Sequence, residues 1–333
     1  MRVVVTGAAG FIGSHTVAAL LDAGHDAVGL DAFRPWYSVV EKRRNAAWLQ
    51  GRLGVRLVAA DLLEVPLEPV LRGADAVVHL AAQPGVPGSW GDGFSSYMHD
   101  NIAATQRLLE AIVSAAVPRL VFASSSSVYG DAPSYPCSED AALAPVSPYG
   151  VTKLAAEHLC LTYARSVAPW LRVTALRLFT VYGPRQRPDM ALRRFLEAAL
   201  DRRAVTVCGD GLQSRDFTYV GDVAGAIVRS VEREEPGSAV LNIGGGCRVS
   251  VNRVLDIIAD LAGAPLVVHR GSPRPGDARH TGADCTQAAT LIGYRPTTDL
   301  TTGLAAELAW LRSDRVADCD SPAAVRRADS PVS

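Results

Sequence analysis

Short apolar runs alternate with amphipathic stretches along the first half of the chain. Seven runs are predicted to be buried strands: 3–6, 26–31, 55–62, 75–82, 119–127, 172–179 and 238–246. Three intervening segments have the apolar spacing of helices: 12–23, 40–50 and 101–116. Because strands that alternate with helices form parallel sheets covered on both faces, the pattern predicts an α/β fold with a Rossmann-like doubly wound parallel sheet.

The second half is interrupted by loops rich in Pro, Gly and Arg at 180–190 and 271–277. Residues of this kind neither extend helices nor fit central strands, and we interpret these loops as parts of a smaller C-terminal substrate-binding domain. The predicted division is a dinucleotide-binding domain at 1–179 with a return segment at about 217–247, a smaller domain at 180–216 and 248–312, and a disordered tail at 313–333.

Composition limits how the chain can recognise partners. Its 333 residues include 33 Lys or Arg and 34 Asp or Glu, for a formal charge of −1, so no general attraction to nucleic acid or anionic membrane is expected. No apolar run reaches membrane-spanning length, and Met1 leads directly into a predicted strand. The six cysteines lack metal-ligand spacing. We therefore expect a cytoplasmic protein without a metal site, in which any recognition of anions is local.

A glycine pattern follows the first predicted strand. The sequence TGAAGFIGSH places Gly7, Gly10 and Gly13 at the opening of the first helix. Glycines at such a turn let the backbone approach a pyrophosphate, and the helix N-terminus faces the negative charge. The position between a strand and a helix makes dinucleotide binding the preferred interpretation over a simple tight turn.

Carboxylates end the next two predicted strands. Asp31 lies 18 residues after Gly13, where it can accept hydrogen bonds from the adenosine ribose and would repel a 2′-phosphate. This favours NAD over NADP, although the nearby Arg34 weighs against it. Asp61 ends the third strand and either lies near the adenine or is an ordinary strand-end carboxylate.

A second chemical pattern begins with SPYGVTK, in which Tyr149 and Lys153 share one face of a predicted helix. It follows SSSSVYG at 124–130, a serine run at the carboxyl end of a strand, where open α/β sheets bind ligands. A phenol, an ammonium and a hydroxyl can meet there over a nicotinamide. Lys153 and the cofactor's charge are expected to lower the pKa of Tyr149 from about 10, so that a phenolate acts as base.

The segments TGAAGFIGSH, HLAA, SSSSVYG, YGVTK, RDFTYVGDV and RPGD together resemble the extended short-chain dehydrogenase/reductases, in the nucleotide-sugar epimerase/dehydratase branch. The resemblance spans about residues 1–312. It implies that Tyr149 is the catalytic base, that Lys153 holds the phenolate and the nicotinamide ribose, and that Ser125, or else Ser126, is the catalytic serine. The NAD contacts that it implies are Gly7, Gly10, Phe11, Ile12, Gly13, Asp31, Asp61, Leu62, Leu80, Ala81, Ala82, Asn101, Tyr149 and Lys153. It also implies a homodimer formed through helices near 101–116 and 150–166.

The branch shares a first step in which NAD⁺ takes a hydride from sugar C4. By the same resemblance, dehydratases carry an Asp-Glu pair just before VYG and decarboxylases commonly carry a Glu there. This chain has Ser126 and Ser127 instead. Without a second acid or base, the expected outcome is return of the hydride to the other face of a rotated 4-ketose, which is 4-epimerisation.

The loop TVYGPRQRPDM at 180–190 bears on the identity of the sugar. Epimerases of neutral UDP-hexoses generally have Asn where this chain has Thr180, and the loop resembles that of UDP-glucuronate 4-epimerases. A guanidinium fits a C5 carboxylate, and holding that carboxylate would keep a 4-keto-uronate from losing CO₂. We favour Arg185 for this contact, assisted by Thr180 and Ser126; the alternative, Arg187, can instead pair with Asp189 and shape the loop.

The resemblance also places residues at the nucleotide. Arg215 is expected at the pyrophosphate of the UDP-sugar, and Arg274 and Asp277 at the phosphate and the uridine ribose, with a local Arg274–Asp277 ion pair as the structural alternative. The predicted function is NAD-dependent 4-epimerisation of a UDP-sugar, with UDP-glucuronate favoured. The alternatives are a UDP-glucose or UDP-N-acetylglucosamine 4-epimerase, a nucleotide-sugar dehydratase, and an NAD-sensing binding protein that is not an enzyme.

Overall fold

A computed structural model describes residues 1–52 and 55–319 of the chain, with side chains in the last helix described through residue 315. Its strands are β1 (Arg2–Thr6), β2 (Asp26–Asp31), β3 (Val55–Ala59), β4 (Ala76–His79), β5 (Arg119–Ser125), β6 (Arg172–Leu178), β7 (Val181–Tyr182), β8 (Val205–Cys208), β9 (Ser214–Asp216), β10 (Thr218–Tyr219), β11 (Ala239–Ile243), β12 (Arg248–Ser250) and β13 (Val268–Gly271).

Its helices are α1 (Phe11–Asp22), α2 (Val39–Gln50), α3 (Glu68–Leu71), α4 (Phe94–Tyr97), α5 (Ala104–Ser114), α6 (Pro148–Ser166), α7 (Ala191–Leu200), α8 (Val220–Glu232), α9 (Val251–Ala262), α10 (Thr286–Ile292) and α11 (Leu300–Cys319). A π-helical turn, Met98–Ala103, joins α4 to α5. Short 3₁₀ turns lie at Pro87–Ser89, Gly91–Gly93 and Ser126–Val128.

Seven strands form one parallel sheet in the order β11-β6-β5-β4-β1-β2-β3. The direction of winding reverses beside β1, whose Val4 is in register with Val28 of β2 and with Val77 of β4. The predicted fold class is confirmed. In open sheets of this kind, ligands bind beyond the carboxyl ends of the strands at the point of reversal.

Successive residues of β1 face opposite cores, as the pleat of a strand requires. Val3 and Val5 pack in one core with residues of α1 and α8, whereas Val4 packs in the other with residues of α5 and α6. Both faces of the sheet are therefore covered, which explains why the strand is apolar without alternation.

A third core lies outside the large sheet. It includes Tyr182, Leu196 of α7, Ile258 of α9 and Leu304 of α11, all of them buried. This cluster is the packed centre of the region that we assigned to the smaller domain. The boundaries of the two domains otherwise remain a prediction.

Two parts of the predicted division differ from the structure. We assigned all of 248–312 to the smaller domain, but Ala288 and Ile292 of α10 pack in the first core with α8 and β11, because these buried apolar side chains face the edge of the large sheet. We also predicted disorder from 313 onward, whereas α11 continues to Cys319, so the prediction is wrong for 313–319. Residues 320–333 lie outside the described residues.

Several predicted strands end earlier than expected. The strands predicted at 55–62, 75–82 and 119–127 end at Ala59, His79 and Ser125. Residues beyond these ends line a cleft. Within residues 1–52 and 55–319, no helix has both the length and the apolar character needed to cross a bilayer.

Candidate active site

A cleft of about 780 Å³ opens at the carboxyl ends of the parallel strands. Every residue predicted for the cofactor or the substrate lines it except two, Asn101 and Arg185. The cleft therefore joins the glycine turn, the serine run, the Tyr149 helix and the arginine loop into one continuous site.

The glycine turn forms a close-fitting cradle at one end of the cleft. Gly7 has φ +70°, and a Cβ there would lie 2.8 Å from the Ala81 amide nitrogen, while a Cβ on Gly13 would lie 2.0 Å from the Gly7 oxygen. In the described chain, α1 has no side-chain cap and no acidic residue in its first turn. Its first N–H groups are thus free to receive an anion, and the turn fits a dinucleotide pyrophosphate.

Asp31 is buried beside this cradle. Its carboxylate accepts hydrogen bonds from the Ala9 amide at 3.1 Å and the Phe33 amide at 2.7 Å. Lys42 of α2, which sequence reasoning missed, places its Nζ 3.5 Å from Asp31 Oδ1. No spacing in the sequence connects these two residues, because only the packing of α2 against the sheet brings them together.

Arg34 is paired with carboxylates in the described structure. Its guanidinium donates to Asp61, and its Nε lies 3.7 Å from Asp100 Oδ1. Asp61 also accepts a hydrogen bond from the Leu63 amide at 2.9 Å. An arginine held in this way is not free to receive a 2′-phosphate, so the geometry favours NAD.

Asn101 lies behind the wall of the cleft rather than on its surface, and its role as a cofactor contact stays a prediction. Its side chain accepts from the Gln83 amide at 2.6 Å and donates to the Gln83 carbonyl and to Thr152 Oγ1. Thr152 in turn donates to the Tyr149 carbonyl at 2.9 Å. Asn101 therefore ties the loop after β4 to the helix that carries Tyr149.

Tyr149 and Lys153 are presented by the first turns of α6. Ser147 caps this helix by accepting a hydrogen bond from the Gly150 amide at 3.1 Å, and Pro148 follows at the first helical position, where proline is favoured. Both side chains reach the cleft opposite the end of β5.

The pKa of Tyr149 is raised, mainly because the phenol is buried. Hydrogen bonding with Ser125 and the positive charge of Arg187 both lower it, while Tyr97 raises it. We expected Lys153 and the charge of the cofactor to lower this pKa; in the described structure Ser125 and Arg187 are the groups that lower it. Desolvation exceeds the favourable effects, since burial penalises the phenolate.

Lys153 is only 5% exposed. Its Nζ lies 4.4 Å from the centroid of the Phe122 ring, and burial lowers its pKa to about 8. Among the described residues it has no hydrogen-bond partner. A buried amine of this kind, at the floor of the cleft, fits the hydroxyls of a cofactor ribose.

The serines at 124–126 differ in what their side chains contact. Ser124 donates to Glu157 at 2.5 Å, and Glu157 is paired with the buried Arg177 at 2.7 Å. Ser125 and Ser126 both line the cleft, and Ser125 lowers the pKa of Tyr149. This effect favours Ser125 as the hydroxyl that accompanies the phenol.

Arg185 does not face the cleft, contrary to our preference for it as the carboxylate contact. Its φ of +65° turns the side chain away, and its guanidinium lies over the Trp48 ring, 3.4 Å from the centroid. The preceding Pro184 carbonyl is bonded to His15 Nε2 at 2.8 Å. Burial, and then the charge of Arg52, lower the pKa of Arg185 to about 10.

Arg187 is the arginine of this loop that lines the cleft. Its Nε and Nη2 donate to the two carboxylate oxygens of Asp189 at 3.0 and 2.9 Å. Its charge lowers the pKa of Tyr149, so the guanidinium and the phenol share one environment. Thr180 lies in the wall of the same cleft.

The residues predicted for the nucleotide, Arg215, Arg274 and Asp277, all line the cleft. Arg215 donates to the carbonyls of Ser214 and Arg279 at 3.0 and 3.2 Å, and its Nη2 lies 3.7 Å from Asp277 Oδ1. Burial lowers the pKa of Arg215. Arg274 lines the cleft as predicted, but the ion pair at this loop joins Asp277 to Arg215 rather than to Arg274.

Other cleft residues were not predicted. Tyr97 donates to the Gly85 carbonyl at 2.7 Å, and its ring meets that of Tyr149 edge-on at 6.2 Å between centroids. Gln83 and Tyr37 also line the cleft. Gln83 follows HLAA directly and could have been found from that position, whereas Tyr37 lies in an irregular loop that carries no pattern. In the described part of the chain, no three His, Cys, Asp or Glu residues are grouped as a metal site.

Comparison with known proteins agrees with this geometry. The model of the "NAD dependent epimerase/dehydratase family" matches residues 3–244. The protein of Bacillus subtilis (strain 168) named "Uncharacterized UDP-glucose epimerase YtcB" is 42% identical over 314 residues, which cover 94% of this chain and 98% of that protein.

Two solved structures are also similar over almost the whole chain. UDP-glucuronic acid 4-epimerase from Bacillus cereus, in complex with UDP-glucuronic acid and NAD, is 40% identical with a TM-score of 0.91 and covers 94% of this chain and 99% of its own. MoeE5 in complex with UDP-glucuronic acid and NAD is 46% identical with a TM-score of 0.86 and covers 94% and 100%; a further MoeE5 structure contains UDP-glucose and NAD. Taken with the sheet, the glycine cradle and the Ser125–Tyr149–Lys153 set, these matches show that the chain belongs to the NAD dependent epimerase/dehydratase family.

Proposed function

We propose that this protein is an NAD-dependent 4-epimerase that interconverts UDP-glucuronate and UDP-galacturonate. The observation that carries the proposal is the position of Arg187, which lines the cleft and acts electrostatically on Tyr149. A cation beside the catalytic phenol lies where a carboxylate on the adjoining sugar carbon would be recognised. The similar proteins solved with UDP-glucuronic acid support this assignment.

NAD would be held by groups that the structure provides for it. The uncapped start of α1 suits the pyrophosphate, Asp31 the adenosine ribose, and the partnerless amine of Lys153 the nicotinamide ribose. When bound, NAD⁺ supplies the hydride acceptor for sugar C4 and later returns the hydride.

Tyr149 is the acid and base of the proposed reaction. As a phenolate it would accept the proton of the C4 hydroxyl, and Ser125, which lowers the pKa of Tyr149, would hold the reacting oxygen. After the 4-keto sugar has turned its other face toward the cofactor, Tyr149 returns the proton to the C4 oxygen. The proton and the hydride are both restored, so the reaction involves no net oxidation.

Arg187 would bind the C5 carboxylate of the sugar, with Thr180 and Ser126 in the same wall of the cleft. A 4-keto-uronate loses CO₂ when its carboxylate bond aligns with the carbonyl π system. A bidentate guanidinium can hold the carboxylate out of that alignment. Arg215, Arg274 and Asp277 would bind the nucleotide at the far end.

UDP-glucose is the second candidate substrate. The pairing of Arg187 with Asp189 leaves this part of the cleft without an uncompensated charge, and a neutral hydroxymethyl group is then tolerated. The similarity to YtcB and to MoeE5 solved with UDP-glucose supports this alternative.

The test is incubation of the purified holoenzyme with UDP-glucuronate and, separately, with UDP-glucose, followed by proton NMR. We expect UDP-galacturonate from the first substrate, with at least a tenfold loss of kcat/KM in Arg187→Gln. The matched control is Arg185→Gln, which removes a guanidinium from the same loop but outside the cleft. Turnover of UDP-glucose alone, or equal losses in the two variants, would contradict the proposal.

We further propose a cytoplasmic homodimer. The five cysteines with described side chains, Cys137, Cys160, Cys208, Cys247 and Cys285, are free thiols, which supports a reducing compartment.

Met98, in the π turn before α5, and Val151 of α6 are each 47% exposed and offer an apolar surface to a second copy. Sedimentation should give twice the mass of the chain, and Val151→Asp should give the monomer; a monomeric parent protein would contradict the homodimer.

A further inference from the structure

Arg187 already has a carboxylate partner within its own loop. Asp189 accepts from Arg187 Nε and Nη2 at 3.0 and 2.9 Å, which is the bidentate arrangement that a ligand carboxylate would also adopt. Both residues line the cleft. The carboxylate of the proposed substrate would therefore lie next to a protein carboxylate, that of Asp189.

The two partners differ in their exposure. The Arg187 side chain is 16% exposed, whereas that of Asp189 is 54% exposed. A largely buried guanidinium is costly to leave unpaired, because it would lose both solvation and a charged partner. Asp189, in contrast, can turn toward water at little cost in solvation.

This difference makes exchange of carboxylates feasible. A carboxylate that enters the cleft can take the place of Asp189 on Arg187, so that one charge-assisted bidentate contact is replaced by another. A neutral sugar cannot make this exchange and leaves the Arg187–Asp189 pair intact. The strength of the pair then controls how strongly the site prefers a charged sugar to a neutral one.

We propose that Asp189 is a specificity-determining residue, a carboxylate that occupies Arg187 until the carboxylate of a uronate displaces it. This inference rests on the proposed function, since it takes Arg187 as the contact for the sugar carboxylate. A residue that only orients Arg187 would strengthen uronate binding. Asp189, as a carboxylate that competes for Arg187, weakens it.

The test is the ratio of the dissociation constants for UDP-glucose and UDP-glucuronate, measured by calorimetry on NAD-loaded protein. A Tyr149→Phe background prevents turnover, so that equilibrium binding is observed. Asp189→Asn removes the competing charge while it retains the size of the side chain. We expect it to raise the preference for UDP-glucuronate about tenfold, chiefly through tighter uronate binding.

The matched control is Asp201→Asn. Asp201 likewise pairs with an arginine two residues away, Arg203, at 2.7 Å, but it does not line the cleft. Asp201→Asn should leave the ratio of the two dissociation constants unchanged. Asp189→Ala provides a second variant, and melting curves establish that each protein is folded.

An unchanged or lower preference for UDP-glucuronate in Asp189→Asn and Asp189→Ala would overturn the inference, because a residue that only orients Arg187 gives that result. The proposed function fails separately, if the parent enzyme with Tyr149 does not convert UDP-glucuronate. Binding ratios and turnover are independent measurements, so the two failures can be distinguished.

Discussion

At the catalytic tyrosine, burial and charge act in opposite directions. Desolvation raises the pKa of Tyr149, while Ser125 and Arg187 lower it. Under the proposed function, the phenolate of Tyr149 is therefore favoured by the hydroxyl of Ser125 and by the guanidinium of Arg187 in the 180–190 loop. Catalysis and recognition of the sugar carboxylate would then share one residue, Arg187.

This sharing predicts a pH effect of Arg187→Gln. Loss of the positive charge removes a stabilisation of the phenolate, so the pKa of Tyr149 rises and the acid limb of the activity profile moves to higher pH. The measurement is the pH profile of kcat at saturating UDP-glucuronate, and we expect the acid limb of Arg187→Gln to lie at higher pH than that of the parent enzyme. Arg185→Gln should leave the profile in place. If the pH profile of Arg187→Gln coincides with that of the parent enzyme, the charge of Arg187 does not affect the pKa of Tyr149.

Burial of Lys153 lowers the stability of the fold at a position where the proposed function requires an amine. Burial lowers its pKa from 10.5 to about 8, so the ammonium is costly to keep in the ligand-free fold. Between these pH values the folded protein binds fewer protons than the unfolded chain, and stability rises with pH through that window.

Lys153→Met should therefore abolish turnover and stabilise the ligand-free protein. At pH 7 the full cost of the buried charge is removed, and we expect the free energy of unfolding to rise by up to about 3 kcal/mol. The gain should shrink as the pH approaches 10.5. Denaturant unfolding at both pH values checks this, and a variant less stable than its parent at pH 7 would show that the amine stabilises the fold.

Among the helices, α11 contacts the 180–190 loop. Glu307 of this helix is fully buried, and one carboxylate oxygen accepts the Gly183 amide at 3.0 Å while the other has no partner in the described structure. Burial raises the pKa of Glu307 from 4.5 to about 8, although Arg193 lowers it. Gly183 lies in the 180–190 loop, four residues before Arg187, so α11 fixes the first part of that loop.

The environment of Glu307 predicts a pH-dependent stability. Between pH 4.5 and about 8 the folded protein retains a proton that the unfolded chain releases, so this carboxyl's contribution is lost as the pH rises. Glu307→Gln keeps an acceptor for Gly183 and cannot ionise. We expect it to raise the melting temperature at pH 8 but to change it little at pH 5. An equal effect at both pH values would place the cause in packing rather than ionisation.

The strands show how far elements can be predicted from sequence. Their apolar runs located every member of the large sheet, because both faces of a parallel sheet are buried. The carboxyl ends were predicted too long, as at 75–82, because Leu80 and Ala81 are apolar residues that follow the strand and line the cleft. Apolar character alone does not separate a buried strand from the wall of a ligand site.

For the whole molecule, local patterns predicted the cofactor half of the site better than the substrate half. The glycine turn, and Tyr149 with Lys153, depend on spacing within one strand–helix or helix segment. The choice between Arg185 and Arg187 depends on which way an irregular loop turns, and the φ of +65° at Arg185 has no sequence signature. The approach of Lys42 to Asp31 likewise arises only from packing between distant segments.

In the proposed reaction, one cleft serves both the cofactor and the UDP-sugar. The glycine turn would hold NAD, and Arg215, Arg274 and Asp277 would bind the nucleotide. Tyr149 would act on the sugar held between them, and the hydride that leaves C4 would return to the same carbon.

The decisive experiment uses UDP-glucuronate that carries deuterium at C4. When the holoenzyme is followed by NMR and mass spectrometry, we expect UDP-galacturonate that retains the deuterium at C4, with none released to water. Tyr149→Phe should give no product. Replacement of the deuterium by solvent hydrogen, or the absence of UDP-galacturonate, would show that the proposed reaction is wrong.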